Sequence, residues 1–281
     1  MQAHNEGPPR AHRSWGPIRA AAVAGEGHAI PMRDAVLPDR QQKWCDRDMV
    51  GDRGPVTNDI AAGSPASDTP SPIGAYIGDP ALRAEWDRRY ADRTQLWSGR
   101  PNGALVAEAT GLTPGRVLDV GCGEGADAVW LARAGWDVTA LEVSGVALAR
   151  AAGHAHDAGL TVHWVHAALT EAALPPASFD LVSAQYPALL RTPDAAAERV
   201  LLAAVAPGGV LLFVHHAGVD AKQAQENGFD PADYVWPSTV TELLDGDWEV
   251  EVDEQRPRVA PDGGAGAHHA DDLVLRVRRL R

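Results

Sequence analysis

The nine residues Val117-Leu-Asp-Val-Gly-Cys-Gly-Glu-Gly125 carry a short apolar run into a glycine-rich turn. Glycines in such a turn let the backbone approach a ligand closely and adopt positive φ. Glu142 lies 17 residues beyond Gly125, at the end of a second apolar run. A carboxylate there can accept hydrogen bonds from both hydroxyls of a ribose. Two nucleoside ligands compete for this pattern. Gly121-x-Gly123-x-x-Ala126 matches the looser dinucleotide fingerprint, whose helix N-terminus attracts pyrophosphate. Asp119 argues against it, because a carboxylate two residues before the first glycine repels pyrophosphate and can hold a cationic amino-acid ligand. Glu124 adds a further negative charge. S-adenosylmethionine carries a sulfonium and an ammonium and no phosphate, so the charge pattern favours it.

Other reactive side chains are fewer. His215 and His216 follow the apolar run Val210–Val214, where a histidine can act as a base near neutral pH. Strand alternation offers a plainer reading, with one of the pair packed in the core and the other facing solvent. His268 and His269 are adjacent and point in different directions in extended chain, which reads as a solvated loop rather than a metal site. His154, His156, His163 and His166 share no i, i+4 pairing and read as surface or packing residues. Cys45 and Cys122 have no metal-ligand spacing, so no metal is expected. Cys122 reads as a small residue that fits the turn. No Gly-x-Ser-x-Gly elbow is present, so hydrolase chemistry lacks its nucleophile.

The elements that must position these residues follow from periodicity. Leu82, Trp86 and Tyr90 recur on one helical face, and Asn102 can cap a second helix carrying Leu105, Val106 and Ala109. Strand and helix signals then alternate. Arg116–Val120 is a first strand, Ala126–Ala134 a helix and Val138–Leu141 a second strand. Ser144 caps a helix running to about Ala158, with Gly159 as its stop. Val162–Val165 and Phe179–Ala184 are further strands. Thr192-Pro193 reads as the N-cap and first residue of a helix through Val205, which Pro207-Gly208-Gly209 breaks before a fifth strand. The alternation predicts an α/β doubly wound sheet, mostly parallel, with right-handed crossovers. Thr239-x-x-Glu242 predicts a capping box for a short helix through Leu244. Two alternating runs close the chain, at Trp248–Val252 and Leu273–Val277, and pair most simply as an antiparallel hairpin.

In that order these motifs resemble the class I S-adenosylmethionine-dependent methyltransferases. Val117–Gly125 looks like their motif I and Glu142 like their ribose-binding acid. Phe179-Asp-Leu-Val182 resembles their fourth strand, Pro207-Gly208-Gly209 the turn before the fifth, and the hairpin the sixth and seventh. The resemblance covers roughly residues 80–281 and implies a Rossmann-like seven-stranded sheet. It assigns cofactor contacts to Asp119, Gly121, Cys122, Gly123, Gly125, Glu142, Val143, Ala168, Leu169 and Gln185. Tyr186 would position the acceptor beside Gln185. Trp86-Asp-Arg-Arg-Tyr90 and Leu96-Trp-Ser-Gly-Arg-Pro-Asn102 resemble the tellurite-resistance and thiopurine methyltransferase-like branch. That branch covers its cofactor with an N-terminal aromatic segment and acts on small molecules or chalcogen species, which makes Trp97 and Arg100 candidate lid residues. Trp86 and Tyr90 read first as packing of the first helix onto the sheet, whereas Trp97 reads equally as packing or as lid. One departure stands out. Where the family usually has an acid or polar residue reading adenine, this chain has Ala167-Ala168-Leu169. Adenine then falls to backbone and apolar contacts, with Thr170 or Glu171 as substitutes.

Composition narrows the function further. The net charge is −13, of which −12 falls on residues 76–281, and an acidic domain repels phosphate backbones. Nucleic acid is therefore not expected as a partner, and a monomer or homodimer acting on a small-molecule acceptor is. No stretch approaches the ~20 apolar residues of a membrane span, and no signal-length apolar run opens the chain, so a cytoplasmic location is expected. Seventeen of residues 1–75 are Gly or Pro, without hydrophobic periodicity. That segment is expected to be disordered, or an extension from a mis-assigned start, and residues 76–281 to form the domain. The loop Ala217–Pro237 is expected to form part of the acceptor wall. The rival readings are a nicotinamide oxidoreductase and a non-catalytic protein that keeps the fold for binding.

Overall fold

The computed structural model describes residues 73–226, 230–259 and 269–281; residues 1–72, where the N-terminal extension was expected, and His268 lie outside the described residues. Helix α1 (Pro80–Ala91) starts where Asp79 accepts a hydrogen bond from the Ala81 amide, with proline at its first position. Helix α2 (Gly103–Ala109) follows. Strand and helix then alternate through β1 (Arg116–Val120), α3 (Ala126–Arg133), β2 (Asp137–Glu142), α4 (Gly145–Asp157) and β3 (His163–His166). After β4 (Phe179–Gln185) come α5 (Ala196–Ala204), β5 (Val205–His216), α6 (Ala221–Glu226) and a 3-10 turn at Pro231–Asp233. Helix α7 (Pro237–Thr241) leads to the hairpin of β6 (Trp248–Pro257) and β7 (Asp271–Arg279).

The seven strands form one sheet in the order β3-β2-β1-β4-β5-β7-β6. The first five are parallel and β7 runs antiparallel between β5 and β6. Successive residues of β1 enter opposite cores. Val117 packs with Leu105, Leu131 and Leu148, and Leu118 packs with Leu201, Phe213 and Val240. A strand buried on both faces reads as a continuous apolar run, and this explains the sequence of β1, β4 and β5. Chain direction across the sheet reverses between β1 and β4, and in open α/β sheets ligands bind at the carboxyl ends of the strands beside such a reversal. No helix among the described residues is long and apolar enough to cross a membrane.

Several boundaries differ from the sequence expectations. Ser144 caps α4 as expected, accepting from the Ala147 amide. Asn102 occupies the N-cap of α2 without a side-chain capping bond, because its amide reaches Asp127 instead. Helix α5 begins at Ala196 rather than Pro193, since the Thr192 hydroxyl accepts from the Ala196 amide and the intervening residues turn through Ala195 at φ 52°. Pro207-Gly208-Gly209 does not separate a helix from β5. The strand runs through it as a bulge, with Gly208 at φ 79° and a register shift opposite Phe179–Leu181. Thr239 sits at the third position of α7, where its hydroxyl accepts from the Trp236 amide.

Candidate active site

At the carboxyl end of β1, Gly121, Gly123 and Gly125 take φ of 71°, 53° and 83°. At Gly123 a Cβ would lie 2.9 Å from the Tyr90 hydroxyl, and at Gly125 one would lie 2.6 Å from the Ala151 methyl. The turn is glycine because φ and space both demand it. Gly121, Cys122, Gly123, Glu142, Val143, Ala168, Leu169 and Gln185 all line one cavity of about 360 Å³ with Asp119. Gly125 supports the turn from beneath, against α4.

Carboxylates dominate this end of the cavity. Asp119 is 2% exposed and its Oδ2 has no hydrogen-bond partner. Burial, and then the neighbouring Asp127 and Glu142, push its carboxyl well above the ordinary range. Glu142 is raised by burial, against three amide donors that lower it. The Gly123 amide donates to its Oε2 at 3.0 Å, and those of Val143 and Ser144 to its Oε1 at 2.9 Å each. One lone pair of Oε2 therefore remains open toward the cavity. Asp127 gave no signal in the sequence motif. It is buried and accepts from the Asn102 amide and side chain, both at 2.7 Å. Burial raises its carboxyl, and these two bonds oppose the rise.

Glu124 corrects the sequence reading of charge. Its carboxylate is paired with Arg150 at 2.8 Å and accepts the Leu96 and Trp97 amides, so it adds no uncompensated charge to the crevice. Trp97 and Arg100 do line the cavity, on the segment that covers the β1 turn. The Trp97 indole N–H donates to the Tyr90 hydroxyl at 2.9 Å, so Tyr90 is both packing and support. At Ala168, where the sequence offers no polar side chain, the amide donates to the Ile77 carbonyl at 3.0 Å. Thr170 lines the cavity and Glu171 does not.

The opposite wall is built from β4, β5 and the hairpin. Tyr186 sits at φ 51°, a conformation that costs a non-glycine residue on the order of 1–3 kcal/mol. Its ring stacks on His216 with centroids 4.3 Å apart, and His216 stacks on His269 at 3.9 Å. The Tyr186 hydroxyl donates to Asp272 at 2.9 Å, and burial pushes its phenol far above the ordinary range. Arg258 lies 4.6 Å over the Tyr186 ring, 3.8 Å from Asp272 and 3.3 Å from His216 Nδ1. A guanidinium only donates, so His216 Nδ1 is the accepting nitrogen. Both histidines are buried, against the expected in–out alternation. His215 is not a cavity residue. Its ring packs on Trp236 at 3.9 Å, its Nδ1 accepts the His216 amide, and burial lowers its pKa to about 4. Among the described residues, none from 217–237 lines the cavity; Leu189, Leu190, Arg258 and His269 do. The hairpin residues were invisible to motif reading because Arg258 and Asp272 meet Tyr186 only through the β5–β7 pairing. His269 likewise belongs to this ring stack rather than to a solvated loop.

Residues 117–209 match the family model described as a methyltransferase domain. The ubiquinone biosynthesis O-methyltransferase of Paraburkholderia phymatum is 44% identical over 73 residues, 26% of this chain and 32% of the relative. That of Ralstonia nicotianae is 40% identical over 100 residues, 35% of this chain and 42% of the relative. The chain thus spans less than half the length of these curated relatives. A solved structure reported for the conversion of a disulfide bond into a thioacetal group during echinomycin biosynthesis has a TM-score of 0.56. It is 25% identical and covers 70% of this chain and 92% of its own. The matched segment carries the β1 turn, Glu142 and β4, and the sheet order continues beyond it. Residues 117–209 are thus similar to a methyltransferase domain and lie within a seven-stranded α/β sheet, parallel through β5 and antiparallel at its C-terminal strands.

Proposed function

We propose that this chain transfers a methyl group from S-adenosylmethionine to a small-molecule acceptor through oxygen, sulfur or a chalcogen. The observation that carries the reading is Asp119: a buried carboxylate with an unpartnered Oδ2 beside two further buried acids. Such a cluster calls for a cation, and the cofactor has two. When bound, the cofactor supplies an electrophilic methyl on a sulfonium. Asp119 holds the ammonium side and Glu142 Oε2 accepts from a ribose hydroxyl. Arg100 neutralises the cofactor's carboxylate, and Ala168 and Leu169 flank the base. Gln185, whose Oε1 is an unpartnered buried acceptor, faces the transfer region. Tyr186 and His216 orient the acceptor, and placing reactants in line supplies much of the acceleration.

The proton inventory favours acceptors that arrive deprotonated. The Tyr186 hydroxyl donates to Asp272, and Arg258 donates to His216 Nδ1. A neutral phenol is too weak a base to take the acceptor's proton and His216 Nδ1 is engaged by Arg258, whereas thiolates or chalcogen anions need no base. The aromatic segments that resemble the tellurite-resistance and thiopurine branch support the same acceptors. The ubiquinone O-methyltransferase relatives support oxygen instead. The acidic surface speaks against nucleic acid as the acceptor, and residues 76–281 would be the catalytic unit.

Methyl-labelled S-adenosylmethionine incubated with thiols, chalcogen oxyanions and phenols separates these acceptors. Acceptor-dependent S-adenosylhomocysteine formation is expected, fastest with the thiol or chalcogen set. Calorimetric binding of a nicotinamide dinucleotide without binding of S-adenosylmethionine would overturn the reading.

A further inference from the structure

Glu124 stands between the second and third glycines of the β1 turn, yet its carboxylate is fully engaged by the chain. It accepts the Leu96 amide at 3.1 Å, the Trp97 amide at 3.0 Å and Arg150 Nη1 at 2.8 Å. The other arm of the same guanidinium, Nη2, donates to the carbonyls of Tyr90 at 2.8 Å and Arg93 at 2.6 Å. One turn later on α4, His154 Nδ1 lies 3.0 Å from the Glu124 carbonyl. A single helix face therefore grips the glycine turn and the end of α1 together. Charge-assisted bonds of this kind are the strong ones, and Glu124 is buried where water competes little.

What this pair holds is the cavity wall formed by Trp97, Ser98, Gly99, Arg100 and Asn102. Trp97 is the first residue of that wall and Leu96 leads directly into it, and Glu124 binds the amides of both. The wall and the turn touch directly, since a Cβ at Gly123 would lie 3.2 Å from the Trp97 indole nitrogen. A second tie runs from α1 to the start of α4, where Asp87 Oδ1 accepts from the Ser144 hydroxyl at 2.8 Å and the Val146 amide at 3.2 Å.

We propose that Glu124 and Arg150 form a clasp that fixes the wall Trp97–Asn102 over the glycine turn and thereby sets how long the cofactor stays bound. They are positioning residues, acting through Trp97 and Arg100. The inference rests on the S-adenosylmethionine reading of the crevice. It adds that cofactor release requires this segment to part from the turn.

The test uses the full chain, with S-adenosylhomocysteine as probe and tryptophan fluorescence as signal. Glu124→Gln keeps the shape but loses the charge, and Arg150→Lys keeps the charge but loses the second arm. For Glu124→Gln the dissociation rate should rise about tenfold, the effect of losing one charge-assisted bond, with the association rate changed less than twofold. Arg150→Lys should shift the same way by a smaller factor. In the ligand-free variants, amide exchange at Leu96 and Trp97 should accelerate at least tenfold. A purely structural pair would lower the melting temperature and leave the release rate alone. Unchanged release in either folded variant, or unchanged exchange at Leu96 and Trp97, overturns the clasp while leaving the cofactor reading intact. A wild-type chain that binds no S-adenosylhomocysteine overturns both.

Discussion

The two ends of the cavity solve opposite problems. At the β1 end, buried acids stand close together and Asp119 Oδ2 has no partner. At the β5–β7 end, Tyr186, Asp272, Arg258 and His216 satisfy one another. The first end is electrostatically incomplete and gains by binding a cation. The second is complete, and presents an ordered surface of stacked rings. A site that must hold a charged cofactor and only orient an acceptor would be divided in this way.

The largest effect should come from distorting the turn that carries the incomplete end. A valine at Gly125 would put its Cβ 2.6 Å from the Ala151 methyl at a φ of 83°. Strain and overpacking together should cost about 3–5 kcal/mol and abolish cofactor binding, read by chemical denaturation and calorimetry. A variant of wild-type stability that binds the cofactor would show that the turn is not built for close approach.

Next in size is the response to acid of His215, packed on Trp236 beside the complete end. Burial lowers the pKa of His215 to about 4, whereas the unfolded chain takes up that proton near 6.5. The unfolded state therefore binds more protons in this window. The contribution is fully present above pH 6.5 and is lost as pH falls toward 4, by about 3 kcal/mol. The difference in denaturation midpoint between the wild type and His215→Phe across pH 4–7 should show this slope, because the raised Asp119, Asp127 and Glu142 titrate in both.

A smaller change asks whether the wall takes part in proton transfer. Tyr186→Phe removes a buried bond to Asp272 and should cost roughly 1–3 kcal/mol of stability. Methyl transfer should fall less than about fivefold, because the hydroxyl donates inward. A loss of about a hundredfold or more, the usual contribution of general acid–base catalysis, would instead make the phenol a participant.

The same contrast governs what the sequence discloses. The β1 end is one strand, one turn and one acid, close in the chain and periodic in pattern, so Asp119, Gly121, Gly123 and Glu142 are legible as a set. Parallel strands buried on both faces announce the sheet just as directly. Glu124 misleads because its partner, Arg150, lies a helix away, and a charge cannot be judged before its partner is known. The opposite wall is joined by strand pairing between residues as distant as Tyr186 and Asp272. No local signal encodes such a meeting. His215 and His216 escape alternation because a layer containing Trp236 covers one ring while the hairpin covers the other. The start of α5 moved for a local reason, since a single threonine hydroxyl can reach past a turn to the helix it caps.

The central claim is that the β1 end is an anionic cradle for a cationic nucleoside, and S-adenosylmethionine affinity in wild type and Asp119→Asn tests it most directly. The substitution preserves shape and removes only charge. Affinity should fall roughly 10- to 100-fold, the range for a hydrogen bond to a charged group. Wild-type affinity should also weaken as acid protonates Asp119, at a pH above the ordinary carboxylate range, and the variant should lose that dependence. An asparagine variant that binds as tightly as the wild type, with the same pH profile, would contradict the account.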